Sequence, residues 1–190
     1  NFIIMIGDGM GFNHTKLPEQ KLMTLSAADG FSDAEEIFYG YLLPYQGSAR
    51  TNSLSGTTDS AASATALATG YKTMNKHVGM LPDGSQLKNL TELANELGKA
   101  TAVMSTEVNT GATPSGFSAH VMARSDSVGI QASQEVIKQA GTIIRCNFDV
   151  YNGEGVQTQL LPAIDETFSA LTADEDGFFL MVEGSKVDTG

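Results

Sequence analysis

Two short apolar runs break off in carboxylates, and this narrows the folds open to the chain more than any other feature. Phe2-Ile3-Ile4-Met5-Ile6 ends in Gly7-Asp8-Gly9-Met10-Gly11, and Phe178-Phe179-Leu180-Met181-Val182 ends in Glu183-Gly184-Ser185. A continuous apolar run, as opposed to an alternating one, marks a strand buried on both faces, as in a parallel sheet covered by helices. Open sheets of this kind bind ligands beyond the carboxyl ends of their strands, which is where Asp8 and Glu183 fall.

The sequence between the two runs keeps the same rhythm. Asn89 can cap a helix carrying Leu90, Leu93, Ala94 and Leu97 at helical spacing, with Gly98 as its stop. A strand is expected at Thr101–Met104, a helix over 127–139 ending at Gly141, a strand over 142–146 and a helix around 162–171, ahead of the Phe178 strand. Strand and helix alternating in this way predict an α/β fold, a three-layer sandwich with a mostly parallel central sheet and helices on both faces. Residues 12–57 are rich in turn formers and read as an excursion of loops and short helices.

Thr58-Asp59-Ser60-Ala61-Ala62-Ser63-Ala64-Thr65-Ala66 places a hydroxyl directly behind a capping carboxylate at the start of a helix. A helix N-terminus presents unsatisfied N–H groups and a partial positive charge, which attract phosphate and stabilise an alkoxide. The small residues that follow let the helix lie close to its neighbours until Gly70 ends it. An ordinary N-cap would look the same in isolation. In company with the two strand-end carboxylates, the stretch points to phosphoryl transfer.

These pieces, with Ala112-Thr113-Pro114, Ala119-His120-Val121, Arg124, and Val182-Glu183-Gly184-Ser185 with Asp188, resemble the alkaline phosphatases and run in that family's order. The resemblance implies a metal-dependent hydrolase of phosphate monoesters that works through a phosphoserine. Ser60 would be the nucleophile and a zinc contact. Arg124 would clamp the phosphate, since a guanidinium makes two parallel bonds to phosphoryl oxygens. Asp59 would orient that arginine. Asp8 would bridge a zinc and a magnesium site, Thr113 and Glu183 would complete the magnesium site, and Asp188 would ligate the second zinc. His14, His77 and His120 match none of the family's metal positions and are read as structural or surface residues, His120 as a packed one.

Asn1 opens directly on a strand and Gly190 follows closely on Asp188, so residues 1–190 are expected to be the N-terminal portion of a single catalytic domain, a fragment. The family's zinc-binding histidines would lie beyond it. In isolation the fragment is expected to be inactive, and its sheet, cut after the Phe178 strand, is expected to leave an apolar edge open to water. Two positions depart from the family pattern. Gly111 stands where well-known members carry an aspartate or histidine that tunes the magnesium site, and Thr189 replaces a lysine, histidine or tryptophan.

A net charge of −11 excludes nucleic acid as a general partner, because its phosphates would be repelled by most of the surface. Phosphomonoesters and inorganic phosphate would have to be drawn by local cations. No stretch is long and apolar enough to span a membrane. With Cys146 the only cysteine, no intrachain disulfide forms. A homodimer and a periplasmic or extracellular location are implied by the resemblance alone. The alternatives are another hydrolase of the same superfamily, a phosphodiesterase or sulfatase, or an inactive phosphate-binding fragment.

Overall fold

A computed structural model describes residues 1–11, 45, 47–148 and 155–187. Most of the expected excursion over 12–57, with His14, and also Asp188 and Thr189, lies outside the described residues. The elements in chain order are β1 (Phe2–Gly7), α1 (Ser60–Thr69), α2 (Leu90–Glu96), β2 (Ala100–Ser105), α3 (Ala112–Gly116), α4 (Ser127–Gln139) and β3 (Ile143–Cys146). A π-helical turn over Val156–Leu160 then runs into α5 (Leu161–Thr172), and β4 (Phe178–Gly184) follows. Residues Asn1–Ile6 with Thr51–Ser185 form one compact unit, and Gly7–Arg50 with Lys186–Gly190 a second. No described helix is long and apolar enough to cross a membrane.

The sheet has the order β1-β4-β2-β3, and β2 runs parallel to both neighbours, with Val103 opposite Ile144 and Met181. Side-chain parity divides its two faces. Val103, Phe179 and Met181 pack with Ala64 and Ala68 of α1, Ala94 of α2 and Phe117 just past α3. The alternate residues Ala102, Met104, Phe178 and Leu180 pack with Leu171 of α5. Helices therefore cover both faces, giving the three layers expected of the α/β class. Each fully buried side chain such as Val103 or Met181 contributes about 1.5–3 kcal/mol.

β4 sits between β1 and β2, and Phe178–Met181 are all buried. One expectation about the strands is corrected: the first run is not buried on both faces. Phe2 stacks on Phe179, and Ile4 and Ile6 pack against the first cluster, but Ile3 and Met5 on the opposite face are exposed. Among the described residues, the layer built on α5 packs on β2 and β4 and includes no residue of β1.

Local signals account for the helix limits. Asn89 accepts from the Glu92 N–H (3.0 Å) while the Glu92 carboxylate accepts from the Asn89 N–H (2.9 Å), a reciprocal cap that starts α2. The expected face of α2 is rotated. Thr91 and Ala94 are buried, whereas Leu93 and Leu97 are exposed, because this short helix meets β2 and β4 through its smaller residues. Asp126 caps α4 at Gly129, and Gly70 ends α1 in the left-handed region (φ 79°), its N–H donating to Ala66.

The His120 side chain is only 8% exposed, and both of its ring nitrogens face acceptors. Nδ1 lies 2.9 Å from the Gly79 carbonyl and Nε2 lies 2.8 Å from Glu92 Oε1, so both nitrogens donate only when the ring is an imidazolium. Burial by itself would lower its pKa, but the Glu92 hydrogen bond, the Gly79 carbonyl and the Glu92 charge outweigh it and raise the value above 6.5. Burial also works to raise the Glu92 pKa, and there the His120 and Asn89 hydrogen bonds prevail and lower it. The pair's stabilisation is thus complete between the ordinary values of the two groups, 4.5 for the carboxylate and 6.5 for the imidazole. It is lost as pH rises through the raised His120 value, or falls through the lowered Glu92 value. His120→Ala is expected to reduce unfolding free energy by about 2 kcal/mol near neutral pH. Denaturant melts should show that deficit shrinking at alkaline pH, and a deficit constant with pH would mean that the ring is neutral throughout.

Candidate active site

α1 opens on a capping carboxylate. Asp59 is extended (φ −108°, ψ 172°), and its Oδ1 accepts from the Ala62 N–H at 3.0 Å. Its carbonyl accepts from both the N–H and the hydroxyl of Ser63 at 3.0 and 2.9 Å. Ser60 is the first residue of the helix and is half-buried. The other carboxylate oxygen, Oδ2, turns away from the helix, accepting from the Lys76 N–H at 3.0 Å and meeting Arg124 Nη1 at 3.4 Å.

Arg124 is anchored through its backbone as well. Its N–H donates to the Lys76 carbonyl at 2.7 Å, and the bridge between Val78 and Val121 aligns the two segments just beyond. Lys76 therefore holds Asp59 with its N–H and Arg124 with its carbonyl. It does so in the left-handed region (φ 73°), which costs a lysine on the order of 1 kcal/mol. Asn75 reinforces the turn, its Oδ1 accepting from the Asp59 N–H (3.3 Å) and its Nδ2 donating to the Thr57 carbonyl (2.8 Å).

Thr113 is buried in the first turn of α3, and α3 packs on α1, β2 and β4. Ala61 and Ala112 share one apolar cluster with Ala119, Val121 and Ile130, which draws the starts of α1 and α3 together. The approach is close, since a Cβ on Gly116 would stand 2.6 Å from the Ala64 Cβ. Glu183, at the end of β4, is buried, and the Ser105 hydroxyl donates to its Oε2. Ser105 is its partner in the register of β2, and Cys146 is the partner of Ser105 on β3. Burial pushes the Cys146 thiol up to about 12; the Ser105 backbone pulls it down, and the Glu183 and Glu107 charges push it up. At ordinary pH it is a thiol, not a thiolate ligand.

The structure brings Asp59, Ser60 and Arg124 together, and sets Thr113 and Glu183 on elements packed against each other. Asp8 follows β1 in the second unit, where its carbonyl accepts from the Val187 N–H at 3.0 Å. Asp188 lies outside the described residues. Thr113 and Glu183 offer buried oxygen donors, which suit a hard cation such as magnesium. Among the described residues no three His, Cys, Asp or Glu side chains gather as zinc would require, and His77 and His120 join no such group.

The family model described as Alkaline phosphatase matches residues 1–163. The chain belongs to the alkaline phosphatase family. Alkaline phosphatase 3 of Bacillus subtilis is 29% identical over 99% of this chain and 51% of its own length. The crystal structure of a cold-active alkaline phosphatase from a psychrophilic Shewanella species superposes with a TM-score of 0.77 at 24% identity, covering 96% of this chain and 56% of that one. A mutant of TAB5 alkaline phosphatase, described with Mg bound in the M3 site, superposes at 0.70 with 19% identity over 97% of this chain and 63% of that one. The chain thus spans about half the length of the curated relative that it matches almost from end to end.

For this alkaline phosphatase family member, sequence reading missed the residues that act through their backbones. Lys76 and Asn75 carry no chemical signature, and Lys76 serves through an N–H and a carbonyl that any residue has. The only cue was negative, since no glycine marks a left-handed turn there. Ser105 was legible only as the last residue of a strand. The cap and the arginine contact use different oxygens of Asp59, so they are separable by mutation. Asp59→Ala is expected to cost about 1–2 kcal/mol in a denaturant melt, whereas Asp59→Asn, which still caps, should cost well under half of that. Equal losses in the two variants would assign the stability to the contacts of Oδ2 with Lys76 and Arg124.

Proposed function

We propose that the enzyme carrying this chain hydrolyses phosphate monoesters through a phosphoserine at Ser60, releasing an alcohol and inorganic phosphate. The single observation that carries this reading is the Asp59 carboxylate, which joins the helix start bearing Ser60 to Arg124. One unit thereby holds a hydroxyl at a positive helix end and a guanidinium within the reach of the same carboxylate.

In the first step Ser60 Oγ attacks phosphorus and the bond to the leaving oxygen breaks; the alcohol departs with a proton. In the second step water attacks the phosphoserine and phosphate leaves Ser60 as its hydroxyl is restored. Arg124 binds two phosphoryl oxygens, where negative charge accumulates in a loose transition state. Asp59 holds that guanidinium in place. Thr113 and Glu183, with Asp8, would hold magnesium, and Asp8, Ser60 and Asp188 would contribute to the zinc sites. Bound cations would neutralise the phosphoryl oxygens and lower the pKa of the attacking hydroxyl. Since this chain covers about half the length of its relative, the full zinc set and activity belong to an enzyme of that length. A homodimer in a periplasmic or extracellular setting completes the reading.

Ser60→Ala should lower turnover on the order of 10³-fold or more while metal content stays near the parental value. Acid quenching with a radiolabelled substrate should leave the label on the parental peptide that contains Ser60, and label on another residue would reject the route. Arg124→Ala should weaken inhibition by phosphate about 10–100-fold and raise KM, with Arg124→Lys recovering only part. Unchanged phosphate affinity in both would place Arg124 outside the site.

A further inference from the structure

Gly111 is buried at the head of α3 with φ −57° and ψ 152°, a conformation open to any residue, so the glycine is not there for backbone freedom. A Cβ at position 111 would meet the Glu107 side chain where it now lies, standing 2.7 Å from the carboxyl carbon and 2.9 Å from Cγ, with Oε2 in contact as well, so that side chain would have to swing away. Glu107 has folded back over residue 111, and its carboxylate fills the room that a side chain there would take. The short turn between them is closed by the Gly111 N–H donating to Val108 (2.8 Å).

The backbone of Glu107 is fixed from two sides. Its N–H donates to Ser105 Oγ at 2.9 Å, the hydroxyl that also donates to Glu183, and its carbonyl accepts from the Asn147 N–H at 2.7 Å. One serine thus links Glu107 to the buried carboxylate at the end of β4. Glu107 is half-buried, and among the described residues no hydrogen bond or ion pair engages its carboxylate. The folded-back Glu107 carboxylate lies over residue 111, two positions before Thr113, and the charges of Glu183 and Glu107 both act to raise the Cys146 pKa. Negative charge beside buried oxygen donors favours a hard cation.

We propose that Glu107, folded over Gly111, is a carboxylate partner of the hard-cation site that Thr113 and Glu183 form, supplying the negative charge that position 111 itself lacks. This rests on the magnesium reading above and names a further residue of that site. The charge comes from four residues earlier in the chain, and the absence of a side chain at 111 is what admits it. The glycine, which on sequence grounds looked like a loss, is the space for this replacement.

The test is calorimetric titration of the metal-stripped full-length enzyme with Mg²⁺, with far-UV circular dichroism as a check on folding. Glu107→Gln, which keeps the shape and removes the charge, should weaken Mg²⁺ binding about 10–100-fold. The double variant Glu107→Ala with Gly111→Asp delivers a carboxylate to the same space from the other side and should recover most of the affinity. Parental affinity in Glu107→Gln, with Glu183→Gln impaired, would overturn the role of Glu107 and leave the site reading intact. Failure of the double variant to recover would likewise overturn it, by showing that Glu107 acts through the shape of the turn. No effect of Glu183→Gln would instead bring down the site reading, and this inference with it.

Discussion

The Asp59 carboxylate has neighbours in three separate stretches of chain, and the arrangement around Ser60 depends on it. One oxygen closes the first turn of α1, and the other receives the Lys76 N–H and faces Arg124. Caps and ion pairs usually compete for a carboxylate's lone pairs. Here they are divided between its two oxygens, so the charge that favours the helix start also draws the guanidinium to its side. The contact to Arg124 is long at 3.4 Å and the arginine side chain is 37% exposed, a geometry that leaves the guanidinium able to turn toward an incoming anion.

The second organising feature is the carboxyl edge of the parallel sheet. Parallel register places Ser105, Cys146 and Glu183 at equivalent positions on three adjacent strands. The loops beyond are tied in turn, Thr106 Oγ1 accepting from the Ser185 N–H at 2.9 Å and the Thr106 N–H donating to the Glu183 carbonyl at 3.2 Å. A buried glutamate would ordinarily be an expensive residue to place there. Its partner on the neighbouring strand meets part of that cost, and the loop ties keep the two in register.

Much of this architecture was legible in the sequence, for identifiable reasons. α4 spans 127–139 as its spacing indicated, because it carries both a cap and a stop, and the strands at Phe178 and near Thr101 appear where unbroken apolar runs demanded them. Parallel pairing followed from the alternation. Strand order did not, because periodicity says which residues are buried and nothing about which strands are neighbours; hence β1 was misjudged as fully covered. In the candidate site, the contact between Asp59 and Arg124 was legible in advance, because it joins two side-chain charges. Lys76 and Glu107 were not. The first works through its backbone, and the second matters only because a turn returns it to a glycine four positions later.

The contact between Gly116 and Ala64 has a consequence for how the two halves of the site respond to their surroundings. α1 is seated by the fit of small side chains, with Ala61, Ala62, Ala64 and Ala68 all buried, and dispersion between packed carbons is indifferent to salt and proton concentration. Arg124 and Asp59 are held by charge at a partly wet position, where salt screens and competing anions exchange. Ionic strength can therefore retune the contact between Asp59 and Arg124 without shifting the serine. The molecule separates a steric frame of reference from an adjustable electrostatic one, and the boundary between them runs between Asp59 and Ser60.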